Sequence, residues 1–162
     1  MNGQDVPKLT PPSVASGRER RRRNRRPAAK VRPVTDWDDV RRIALALPET
    51  SEQSSRDLTS WRVRDKAFVW ERPLRPADLR ALGDDAPTGP ILGARVEHLV
   101  AKEALLADDP DVFFTTPHFD GYPAVLVRLD EITIEDLEEV IVEAWLARAP
   151  KRVAQAYIDR HL

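Results

Sequence analysis

Seven arginines fall within nine positions, from Arg18 to Arg26 in the run RERRRRNRR, the densest concentration of reactive side chains in this sequence. Guanidinium groups pair with phosphate oxygens in bidentate fashion, and each phosphate neutralised releases counterions. Arg20, Arg21, Arg22, Arg23, Arg25 and Arg26 are therefore expected to bind nucleic acid with steep salt dependence and little sequence preference. A second set of basic residues interleaves with aromatics: Arg62, Arg64, Lys66 and Arg72 lie beside Trp61 and Trp70 in SWRVRDKAFVWER. Such interleaving offers phosphate contact and stacking. The competing explanation is a half-buried strand face with a solvated edge.

The loop TTPHFDGYP brings Thr115, Thr116, His118, Asp120 and Tyr122 within eight residues. His118 could serve as an acid or base, with Asp120 the one local carboxylate to orient it. His118 and Tyr122, together with Trp61 and Trp70, are the candidates for lining a ligand pocket. A complete catalytic set is absent, and turn-setting prolines with Phe113, Phe114 and Phe119 packed on the core account for the loop better. Asp36, Asp38 and Asp39, and again Asp108, Asp109 and Asp111, offer oxygen ligands for at most weak binding of a hard cation. Helix capping and Asp-Pro turns explain both clusters. No P-loop, GxGxxG or GxSxG occurs, so no catalytic residue, metal or cofactor is assigned and a non-enzymatic role is expected. His98 is expected on a helix face and His161 at a frayed end.

These residues are distributed unevenly in charge. Residues 1–33 hold ten basic groups against two acidic ones, a net of +8, whereas the rest holds 16 basic and 25 acidic groups, a net of −9. The overall charge of −1 thus conceals two opposite fields, and a polyanion would be drawn to the first and repelled on average by the second. Residues 1–33 contain five prolines, a single leucine and nothing aromatic, so they cannot bury enough apolar area to offset the entropy of ordering. They are expected to form a disordered arm, leaving residues 34–162 as one domain. The absence of any apolar run near 18 residues, of a secretory start and of cysteine predicts a cytoplasmic protein that crosses no membrane.

The elements that must position these residues are legible as patterns. TDWDDVRRIALALPE places Trp37, Val40, Ile43, Ala44 and Leu47 at helical spacing, with Thr35 or Asp36 as N-cap and Pro48 as terminator. After a polar loop, alternation of Trp61 with Val63 and of Phe68 with Trp70 about Arg64-Asp65-Lys66 predicts a hairpin. RPADLRALG suggests a short helix, PILGARV a strand, and EHLVAKEALLADD a helix whose apolar face includes Leu99, Lys102, Leu105 and Leu106. YPAVLVRL is the clearest strand and, being apolar on both faces, should be central. Thr133 caps a helix with the stripe Ile134, Leu137, Val140, Ile141, Ala144 and Trp145; beyond Pro150, a last helix should turn Val153, Ala156 and Tyr157 inward. Mixed strands and helices without βαβ alternation predict an α+β fold, an antiparallel sheet backed by helices on one face.

Three stretches resemble the MmcQ/YjbR family: the first helix ending in LPE at 47–49, the hairpin WRVRDKAFVW at 61–70, and KEALLADDPDVFFTTPHFDGYPAVLVRL at 102–129 running on to AWLARAPKR at 144–152. The resemblance spans nearly all of the body and none of residues 1–33. It implies a frataxin-like fold and a DNA-binding role through winged surfaces on the sheet. The expectation is a monomeric, non-enzymatic DNA-binding protein, with the arm supplying affinity and the hairpin position. The alternative is a protein-interaction or small-molecule-binding module that uses the acidic body and the loop around His118.

Overall fold

The structure, a computed structural model, describes residues 35–162; the arginine run and the expected arm of residues 1–33 lie outside the described residues. The elements are α1 (Trp37–Leu45), β1 (Thr50–Ser55), β2 (Leu58–Val63), β3 (Lys66–Glu71), α2 (Pro76–Leu82), β4 (Ile91–Arg95), α3 (Leu99–Asp108), β5 (Phe113–Phe114), β6 (Ala124–Arg128), α4 (Ile134–Arg148) and α5 (Lys151–His161). The strands form one sheet in the order β1-β2-β3-β4-β6-β5, every neighbour antiparallel. This is the expected α+β architecture.

α1 starts where Asp36 and Asp39 cap it reciprocally, each carboxylate accepting from the other's backbone N–H at 3.0 Å, so capping accounts for two of the clustered acids. The Thr35 hydroxyl donates to the Leu129 carbonyl, and the Trp145 indole donates to the Pro48 carbonyl at 3.0 Å. α1 is thereby held at its start to the end of β6 and at its finish to α4. Val40, Ile43 and Ala44 of α1 join Leu137, Val140, Ile141, Ala144 and Trp145 of α4 over Leu92, Ala94, Val125 and Val127 of the sheet. Ala124 to Val127 of β6 are fully buried between β4 and β5, as a central strand should be.

Two strands have no signature in the sequence. β1, TSEQSS, reads as a polar loop; it is an edge strand whose residues are exposed apart from half-buried Thr50. Pairing to β2 makes it a strand despite its composition, and its polarity blunts an open edge. Arg56 and Asp57, both at positive φ, form its two-residue turn, the backbone pattern of a tight hairpin. β5 is only two residues long.

The β2–β3 hairpin is present with an irregularity: Trp61 pairs with Val69 but Arg62 with Ala67, leaving Phe68 as an extra residue. A bulge of this kind lets consecutive side chains share a face, and Phe68 and Val69 are both fully buried in the main core. α5 departs from expectation in one residue. Val153 and Tyr157 pack inward, but Ala156 is exposed, because the half-buried stripe runs through Val153, Ala154, Tyr157 and Ile158.

The face away from α1 and α4 carries a smaller cluster of Ile91, Phe114, Phe119, Ala124 and Leu126, closed by Trp70, Leu74 and Leu82. Gly93 sets its packing, since a Cβ there would lie 2.3 Å from the Trp70 indole. Gly93→Ala must push Trp70 aside, and an expected loss of about 1–3 kcal/mol should be read as a lower urea midpoint with unchanged slope. An unchanged midpoint would contradict this packing.

Candidate nucleic-acid interface

Strand alternation sorts the charges. In β4, Leu92 and Ala94 face the main core, so Ile91, Gly93 and Arg95 face the other way; in β6, Val125 and Val127 do the first and Ala124, Leu126 and Arg128 the second. Trp61 and Val63 face the main core, which turns Arg62 to the opposite side, and Arg72, just beyond β3, lies over the Phe119 ring at 5.3 Å. Four arginines thus share one side of the sheet, and no strand residue on that side is acidic. Across the sheet, α4 carries Glu135, Asp136, Glu138, Glu139 and Glu143 against a single Arg148. The body is acidic in sum and polarised in space.

Three of these arginines are matched to an aromatic ring: Arg95 over Tyr122 at 4.8 Å, Arg128 over Phe114 at 4.4 Å and Arg72 over Phe119. Over β1, β2 and the near part of β3 the face is open, with Ser51, Gln53 and Ser55 exposed and Ser60, Arg62, Ala67 and Trp70 half-buried. Arg62 is steadied by donating to the Ser60 hydroxyl at 3.3 Å and the Asp65 carbonyl at 3.2 Å.

The four basic residues expected to act together at the hairpin are separated. Only Arg62 lies on the open face. Arg64 sits in the turn at positive φ and pairs with Glu49 at 3.2 Å. Lys66 pairs opposite Val63 and so faces the helical side, where it lines a groove together with Glu97 and Glu143. Arg72 must be corrected as a phosphate ligand: it is 6% exposed, pairs with Asp78 at 3.0 Å and donates to the Pro73 carbonyl. Burial by itself would raise the Asp78 carboxyl, but the Arg75 backbone N–H, the Arg72 guanidinium and the Thr116 hydroxyl outweigh it and hold the group below the ordinary carboxylate value.

The expected ligand-pocket residues also part company. Trp61 is 2% exposed in the main core, donates to Glu52 at 3.0 Å and stacks on Trp37, so it lines no pocket. Trp70 lies half-buried over Gly93. His118 is exposed in a short 3-10 turn, edge-on to Phe119 at 4.9 Å, and among the described residues no carboxylate pairs with it. Tyr122 is 46% exposed. His98 is the N-cap of α3 rather than a helix-face residue, its Nδ1 accepting from Ala101 at 3.0 Å. His161 stacks on Tyr157 at 4.2 Å.

The loop bearing Tyr122 is fixed by a residue whose sequence context suggests only packing. Lys102, 6% exposed, donates through Nζ to the Phe119 carbonyl at 2.6 Å and the Tyr122 carbonyl at 2.9 Å. Burial pushes its ammonium below the usual lysine value, opposed in part by the charge of Asp120. Arg95 and Arg128 are candidate residues on this face that sequence reasoning missed. The available signal was their parity, opposite to Leu92 and Ala94 in one strand and to Val125 and Val127 in the other.

Two grooves lie elsewhere. One, of about 720 Å³, runs between α3, α4 and α5, with Val96, Leu105, Leu146 and Ile158 among its walls; the other, of about 380 Å³, includes Trp37, Leu58, Leu74 and Pro90. Neither is lined by Trp61, Trp70, His118 or Tyr122. Among the described residues no group of three or more His, Cys, Asp or Glu is placed to hold a metal ion, and no helix is long and apolar enough to cross a membrane.

A family model described as YjbR matches residues 45–147. Uncharacterized proteins of Mycobacterium tuberculosis and Mycobacterium bovis are each 57% identical over 128 residues, covering 77% of this chain and 97% of theirs. The crystal structure of a Deinococcus radiodurans protein with a DUF419 domain is similar in fold, with a TM-score of 0.52 and 21% identity over 70% of this chain and 78% of that one.

Proposed function

The chain belongs to the YjbR family, and from that membership we propose that it is a non-enzymatic, cytoplasmic nucleic-acid-binding protein whose polymer is DNA. The observation that carries the reading is the segregation of charge across the middle of the sheet: arginines and aromatics on one side, the acidic helix α4 on the other. A phosphate backbone approaching the sheet meets cations with no strand carboxylate beside them, while α4 on the opposite side turns it away. The arginine run of residues 18–26 adds attraction without sequence preference.

The test is fluorescence anisotropy of labelled DNA with the full chain and two charge-matched variants. Arg62→Glu with Arg95→Glu reverses the sheet face; Arg152→Glu with Arg160→Glu reverses exposed positions on α5. The first pair should weaken binding roughly tenfold or more at low salt and shrink the log–log salt slope by about 0.9 for each phosphate left without its cation. The second should have a small effect, because screening confines a surface charge to about 10 Å at 0.1 M salt. Equal weakening by both pairs would mean that net charge alone matters and would sink the sheet as interface. The groove between α3, α4 and α5 favours a second reading, an apolar ligand or protein segment held on the helical side, which predicts sensitivity to Leu146→Glu and none to the sheet-face pair.

A further inference from the structure

Resting on that reading and deepening it, we infer that the sheet face is a stacking platform for single-stranded nucleic acid, with Tyr122 as the aromatic surface and Arg62 and Arg95 as the phosphate contacts. Tyr122 is the most exposed aromatic side chain among the described residues, 46% exposed, yet the loop that carries it is held firmly. Lys102 anchors the backbone at Tyr122 itself, and Arg95 lies over one side of its ring at 4.8 Å. An exposed ring on an anchored backbone, with a cation over one side and the Phe119 ring tilted against it at 6.3 Å, leaves π-surface for stacking, which any base satisfies.

The arginines are spaced to follow a strand across this platform. Arg62 on β2 is paired with Ala67 on β3, and Arg95 on β4 lies one strand further. Two strand steps set their backbones roughly 10 Å apart. The open region beside them is lined by Ser51, Gln53 and Ser60, neutral hydrogen-bonding groups that impose no sequence. A duplex fits this surface poorly, because its bases are stacked internally and show no π-face to Tyr122.

The experiment compares a fluorescein-labelled 15-nucleotide oligo-dT with a 15-base-pair duplex, both titrated with the full chain at about 0.2 M salt, where electrostatic attraction common to both is weakened. The expected result is at least tenfold tighter binding of the single strand. Tyr122→Ala should abolish that preference and Tyr122→Phe should keep it, since the ring and not the hydroxyl does the stacking. The Lys102 hydrogen bond is to the Tyr122 backbone carbonyl, so both variants should melt with the parent chain. Equal affinity for the two probes, or a preference that survives Tyr122→Ala, overturns the platform while leaving nucleic-acid binding intact. Binding to neither probe, at this or at lower salt, overturns both.

Discussion

Asp78→Ala is expected to lower the unfolding free energy by about 3–5 kcal/mol, because removing one partner of a buried ion pair leaves the other charged and unpaired. Arg72 is 6% and Asp78 3% exposed, at a separation of 3.0 Å. Asp78 also accepts from the Arg75 N–H at 2.8 Å, so the substitution uncaps α2 as well. The consequence reaches the interface, since Arg72 lies over Phe119, a neighbour of the loop that presents Tyr122. The double variant Arg72→Met, Asp78→Leu should recover most of the stability, as apolar groups of similar volume replace a buried pair at little cost. Urea unfolding of the three proteins decides it; a decrease below about 1 kcal/mol for Asp78→Ala would show the pair to be solvated.

The same pair fixes a pH dependence. The Asp78 carboxyl lies below its ordinary value of 3.8 in the folded protein, so the unfolded state binds the proton more readily. Its contribution is complete above pH 3.8 and is lost as pH falls through the lower folded-state value. The stability gap between the parent and Asp78→Ala should therefore narrow only in strong acid.

Deleting residues 1–33 is expected to weaken DNA binding at low salt by roughly a hundredfold or more, the largest functional effect foreseen. The deletion removes a net charge of +8, including the seven arginines of the run 18–26. Neutralising about five phosphates would contribute about 4.5 to the log–log salt slope, so truncation should flatten the dependence as well as lower the affinity. What remains in residues 34–162 is the sheet face, whose stacking is salt-tolerant, so the truncated chain should favour the single strand more strongly than the full chain does. Undiminished affinity and slope would remove the segment from the binding mechanism. Tighter binding after truncation would instead mark it as a competitor of the polymer, resting on the acidic body.

The legibility of this protein in its sequence follows the scale of the forces. α1 and α4 were readable because each buries a stripe whose 3.6-residue period is written in its own residues, and β6 because it is a short continuous apolar run. The acidic caps and the proline boundaries were readable for the same local reason. β1 was not, because TSEQSS has no apolar alternation and becomes a strand only by pairing with β2. Nor was the fate of the basic residues at 62–72, which looked like one cluster because they are adjacent in sequence.

Adjacency along a strand means opposite faces, and a bulge shifts even that rule, so Arg62, Lys66 and Arg72 end on an open sheet, a helical side and a buried ion pair. Conversely, Arg62 and Arg95 are distant in the chain and come together only through the order of strands. By itself the sequence determined the fold class, the family resemblance, the core helices and strands and the division of charge between residues 1–33 and the body, all properties of local pattern and composition. The tertiary structure alone decided which cations face together, which aromatic is exposed and which charges are buried, because those depend on strand order and register, and these are settled by contacts between residues far apart in the chain.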